Sequence, residues 1–339
     1  MRRIMCQGLL ASMYFLAACT TIDPNSAKAL GAAGQTAAQA LAEQTESGRK
    51  IVDSLPEWWG VHDALICSTT SLGDARTTCL KNVFEHPHPE PALLKAQTEL
   101  SQIISKRVVA AIALRDAYQA FSNLAMYDAG GETEQAIKSA FGSINKLTEA
   151  AAAIAPQGVA LAAISSTFTN TASGLGKFIA SKRQQQLMYD ASLDLHKATE
   201  ALTKALTVER DSQAIKSLLS MGQVESDQLY LGFVRSGLVT PKDALAPLFS
   251  QIAPDGQLVQ SPPASNLDVI GAAASISIAA RSKRKQIAIV RSYDSAVAGL
   301  HALAAEHMKL EQQDPLNLAA VLAEVKNVQT LLADLRSTR

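Results

Sequence analysis

Residues 91–128 read PALLKAQTELSQIISKRVVAAIALRDAYQAFSNLAMYD. Leu100, Ile104, Val108, Ala111, Leu114, Tyr118, Phe121 and Ala125 recur at steps of three and four, the period of one helix face. Lys95, Glu99, Lys106 and Asp116 mostly fall off that stripe, and Gly130-Gly131 ends it. At about 1.5 Å per residue such a helix spans nearly 60 Å, which suits an elongated bundle better than a compact globule.

The chain downstream repeats the pattern. Thr133 can cap a helix running to about Ala155, and Leu187, Ala191, Leu195, Ala198, Leu202 and Leu206 are spaced to face a core. A shorter helical pair is expected around 213–236. Thr240-Pro241-Lys242-Asp243 then gives a capping threonine, a first-turn proline and an acid three residues on. Ala253 to Ser265 has loop composition. Ser265-Asn266-Leu267-Asp268 opens a second long helix to about Leu310. Asp314-Pro315 is expected to start the last helix, where Leu318, Val321, Val325, Val328, Leu332 and Leu335 keep the rhythm of an antiparallel or coiled-coil seam. Few alternating β-branched stretches occur and aromatics are only 5%, so the fold class is all-α, with a core of Ala, Leu, Ile and Val.

Upstream, Ser26 to about Ser54 is rich in Ala and Gln, a helix with a thin apolar stripe packed through small residues. Pro56-Glu57-Trp58-Trp59 is expected to interrupt it. Trp58 to Phe84 then gives two short helices. Glu85-His86-Pro87-His88-Pro89-Glu90-Pro91 cannot continue a helix and reads as an extended connector between a 26–90 helical segment and a 91–339 bundle.

The first residues carry the compartment. Arg2-Arg3 precedes an uncharged run from Ile4 to Ala18, of secretory-signal length and too short for a transmembrane helix. The run closes on Leu16-Ala17-Ala18-Cys19, which resembles the lipobox of bacterial lipoproteins. That resemblance implies a signal peptide over 1–18, cleavage before Cys19, and a mature Cys19 carrying three acyl chains, palmitate among them. More than one chain is what stable anchoring needs, each buried methylene contributing about 0.8 kcal/mol. Thr20 and Thr21, with no Asp among them, imply sorting to the outer membrane by that family's rule, with 19–25 as a tether and the domain facing the periplasm, the cell surface being the alternative.

With Cys6 lost in the signal and Cys19 acylated, Cys67 and Cys79 remain. In an oxidising periplasm this pair reads as one disulfide stapling the two short helices, a loop worth about 3 kcal/mol in the chain-entropy model. A redox or metal role has no CxxC and no histidine at ligand spacing to support it.

Other chemistry is faint. His86, His88 and Glu90 are held apart by prolines; His301 and His307 fall on different faces of one helix; His62 and His196 stand alone. No HExxH, phosphate loop or GxSxG elbow is present, and neither catalytic residues, a metal site nor a cofactor is assigned. Formal charge is zero, and removing Arg2 and Arg3 leaves 29 basic against 31 acidic residues, so no nucleic-acid partner is expected. Arg281 to Lys285 is a basic run suited to a solvated helix face, with lipid headgroups or lipopolysaccharide phosphates as the alternative. Residues 150–176 carry no charge at all. They fit close packing through small side chains, with Ala151, Ala155, Val159 and Ala162 buried; the alternative is a membrane-inserting hairpin like those of α-helical pore-forming proteins.

The functional expectation is a lipid-anchored, periplasm-facing helical protein acting as a binding or scaffold component of an envelope assembly. It would meet the membrane through Cys19 and have a protein partner. Its rivals are a membrane-active protein inserting 150–176, and an enzyme whose site is scattered in sequence.

Overall fold

The computed structural model describes residues 22–70, 72–85, 91–126, 133–154, 180–211, 214–252 and 267–337. They form α1 (Pro24–Thr70), α2 (Gly73–Glu85), α3 (Pro91–Met126), α4 (Thr133–Ile154), α5 (Ala180–Asp211), α6 (Ala214–Arg235), α7 (Pro241–Ile252), α8 (Leu267–Gln312) and α9 (Ala319–Ser337), with no strand among the described residues. The protein is an elongated all-α bundle. α1 and α8 have 47 and 46 residues, each about 70 Å long.

Helix α1 is the spine. Asp23 caps it, its carboxylate accepting from the backbone N–H of Ser26 at 2.9 Å, and Pro24 takes the first position. The helix therefore starts two residues before the expected Ser26. α3 runs antiparallel to it: Gly31 meets Ser122, Gly34 meets Tyr118, and Ser101 donates to Asp53 at 2.7 Å. Both glycines are close approaches, because a Cβ on Gly34 would lie 2.2 Å from the Tyr118 ring. α1, α3, α4, α5, α8 and α9 share one core, so the 26–90 segment and the later helices are packed together. A smaller core of Leu231, Val234, Ala244, Ala274 and Ile278 joins α6, α7 and the start of α8.

Pro56 does not interrupt α1. A proline removes the N–H that would bind the carbonyl four residues back, here Val52. The Gln97 side-chain amide of α3 donates to that carbonyl at 3.2 Å, so the freed acceptor is satisfied from outside the helix. Trp58 to Thr70 is accordingly the far end of α1, and of the expected pair only α2 is a separate short helix. The expected pair around 213–236 is likewise one helix, α6, ended by Gly237 in the left-handed conformation (φ 79°). Thr240 caps α7 as expected, accepting from the Asp243 N–H at 3.2 Å and donating to its carboxylate at 2.6 Å.

The last helix begins later than its Asp-Pro suggested. Gln313 (φ 62°) and Asp314 close α8, their N–H groups donating to Leu310 and Lys309 carbonyls at 3.2 and 2.8 Å. Asn317 is the cap of α9, accepting from Ala319 N–H at 3.3 Å, while its own N–H donates to buried Glu306 at 2.6 Å. Asp314-Pro315 is thus the stop of one helix and the turn, not the start of the next. Val321, Val325, Val328 and Leu332 are buried along the expected seam.

Candidate functional site

The polar groups brought together in the core lie on the inward faces of α3, α5 and α8. Tyr118 on α3, Ser192 and Thr199 on α5, and His307 on α8 each occupy an inward position, and all four are fully buried. Their hydrogen bonds form a directed chain. The Thr199 hydroxyl donates to the Leu195 carbonyl at 2.8 Å, which leaves its oxygen to accept from Tyr118 O–H at 3.0 Å. Tyr118 Oη then accepts from His307 Nε2–H at 2.8 Å, and His307 Nδ1 accepts from the Ser192 hydroxyl at 3.0 Å. The partners fix the neutral Nε2–H tautomer. Burial, reinforced by nearby His196, pushes the His307 imidazole down to about 3, and burial raises the Tyr118 phenol above its ordinary range.

His196, one turn from Ser192 on α5, stacks on His307 with centroids 5.7 Å apart and planes 8° from parallel. Its Nδ1–H donates to Glu311 at 3.1 Å, and Glu200 lies 3.4 Å from Nε2. The bond to Glu311 holds its pKa above the usual histidine value against partial burial. Two stacked imidazoles are therefore pushed in opposite directions, one sealed and neutral, one paired with a carboxylate. Ser192 and His307 have serine–base spacing, yet neither meets solvent, so the chain cross-ties α3, α5 and α8. Beside it, Glu200, Lys204, Val208, His301 and Met308 line an open groove of about 480 Å³ between α5 and α8.

Cys67 and Cys79 are bonded, with Cα atoms 5.6 Å apart, joining the end of α1 to α2. Residues 67 and 79 are thus a staple, but between one long helix and one short one. No residue of α2 is buried, and Leu72 and Phe84 are 81% and 76% exposed. Cys19, the His86, His88 and Glu90 group, and Ala155, Val159 and Ala162 lie outside the described residues; Ala151 is buried. His301 is exposed and His307 buried, on different faces as their spacing required. Among the described residues no group of three or more His, Cys, Asp or Glu could hold a metal, and no helix is long and apolar enough to cross a membrane.

Arg281 leaves the basic run to donate to the Ala244 carbonyl of α7 at 2.9 Å, while Arg284 and Lys285 turn toward α9. Sequence reading missed the His196–His307 pair because its members lie on different helices. The available signal was a histidine in register with Leu300, Leu303 and Leu310, together with a tyrosine on the α3 stripe and a threonine next to Ala198 of the α5 stripe.

The chain matches no protein family, no curated protein and no solved structure.

Proposed function

We propose that the protein is a lipid-anchored helical scaffold of the bacterial envelope, held in the outer membrane through Cys19 and facing the periplasm. It would present its stapled end to a protein partner. The observation that supports this best is α1, an uninterrupted helix of 47 residues whose first residue follows Cys19 by five positions. A rod of about 70 Å that begins next to an anchor carries its far end well away from the lipid surface. That far end bears Trp58 and Trp59 half-buried and Phe84 exposed, aromatic residue types from which contact anchors are built, with Leu72 exposed as well. A disulfide holding a helix without buried residues fits a surface kept in shape for contact better than it fits a core.

Photo-crosslinking in intact cells tests this. A photoreactive residue at Phe84 should give one adduct of defined mass, the adduct should be lost with Cys19→Ser, and the same probe at exposed Val109 should give none. No adduct at Phe84, or one indifferent to Cys19, contradicts the reading.

A further inference from the structure

A second groove, between α8 and α9, has a composition that selects a ligand class. On α8, Arg284, Ile287, Ala288 and Arg291 follow one another at steps of three, one and three, on one face. Across from them stand Leu331 and Leu335 of α9, and the groove encloses about 540 Å³. Its floor is apolar, with Ile287 left 44% exposed. Its rim is basic. Arg284 and Arg291 are both exposed, two helical turns and about 10 Å apart, and neither has an ion-pair or hydrogen-bond partner among the described residues. Lys285 and Asp334 complete the rim, each with an interaction partner of its own.

We propose that this groove binds an anionic amphiphile, a single acyl chain with a carboxylate or phosphate head. The acyl chain lies over Ile287, Leu331 and Leu335, where burial of methylenes favours it. The head meets Arg284 or Arg291, whose planar guanidinium matches both kinds of oxyanion in a two-point hydrogen bond. The volume falls in the range of small-molecule sites. The whole chain has formal charge zero, so three cations against one carboxylate here is a local concentration and not a reflection of composition. The inference stands apart from the anchoring proposal, since the groove involves neither Cys19 nor the stapled end.

The test uses the purified full-length Cys19→Ser protein, so that no acyl chain of its own competes. A diazirine-bearing dodecanoate is photolysed below its micelle concentration and the labelled residues are mapped by mass spectrometry. Labelling should fall on 284–291 and 331–335. Dodecanoate and dodecyl phosphate should displace it, while inorganic phosphate and the uncharged dodecyl maltoside at the same concentration should not. The pair R284E and R291E should weaken labelling about tenfold or more while leaving the helical dichroism and melting unchanged. I287D, which spoils only the floor, should abolish it. Equal displacement by the maltoside would reduce the groove to an apolar patch, and equal displacement by phosphate to an ion site. Either result, labelling elsewhere, or indifference to the arginine pair overturns the proposal.

Discussion

Gly34 and Gly60 lie on the same helix, and a methyl group added to each would meet opposite surroundings. At Gly34 it would sit 2.2 to 2.5 Å from three atoms of the Tyr118 ring; at Gly60 nothing lies within 4 Å. Up to Pro56, α1 buries Leu30, Ala33, Ala37, Ala38, Leu41, Val52 and Leu55, whereas beyond it, among the described residues, only Cys67 is buried. Two different causes thus maintain one helix. Proximally it is held by tight packing of small residues on α3; distally by helix propensity, the Gln97 contact, the approach of Leu65 to Gly232 of α6, and the disulfide. The comparison teaches that length of helix and depth of core are separate quantities here, and the proposed function assigns the surplus length to reaching a partner.

The largest effect should come from Gly34→Ala. Tyr118 is fully buried and tied to Thr199 and His307, so it cannot swing away, and overpacking should cost about 3 kcal/mol. Gly60→Ala should instead stabilise slightly, by up to about 1 kcal/mol, since it only improves propensity. Chemical denaturation of the two variants checks the contrast; similar effects would erase it.

Acid should act on the packed half next. Unfolded, His307 titrates near 6.5; folded, it titrates at about 3. Between those values the unfolded chain binds more protons, so stability rises with pH there and is lost as pH falls from 6.5 toward 3. The slope from this one group approaches about 1.4 kcal/mol per pH unit. His196 has the opposite sign: its pKa is raised, so its contribution is present at low pH and lost as pH climbs through that raised value. Denaturation of the wild type and His307→Gln between pH 6.5 and 5 should show the steep slope only in the wild type.

Smaller still is Gln97→Ala, at the junction of the two halves. It should leave the Val52 carbonyl unpaired above Pro56, costing about 1 kcal/mol and raising hydrogen exchange of 53–60. Reduction of Cys67–Cys79 should have the least effect on global unfolding. Because α2 buries nothing, protection of 73–85 should collapse while the bundle moves by much less than the about 3 kcal/mol a loop of that size would give within one cooperative core. A full shift of that size would join α2 to the core.

Much of this architecture was legible in periodicity. Seven of the eight stripe positions of α3 are buried, and α5 buries all six. The exception is instructive: Arg107 holds the inward place beside Val108, lying over the Tyr293 ring at 5.2 Å, because a guanidinium can be buried on an aromatic face that its polarity conceals in sequence. Pro56 misled for a related reason, since local rules count the lost hydrogen bond but not a glutamine supplied by another helix. The polar chain through Tyr118, Thr199 and His307 depends on three helices meeting at one level, a tertiary fact that no single stripe contains. The α8–α9 turn was displaced because Asp-Pro serves equally well just after a helix stop and just before a helix start.

In the proposed function, the rod is anchored at its more tightly packed end and presents the other. Mass spectrometry of the N-terminal peptide from membranes of the producing cell tests it most directly. The account predicts a chain beginning at Cys19, carrying three acyl chains. A chain beginning elsewhere, or an unmodified Cys19, would contradict it.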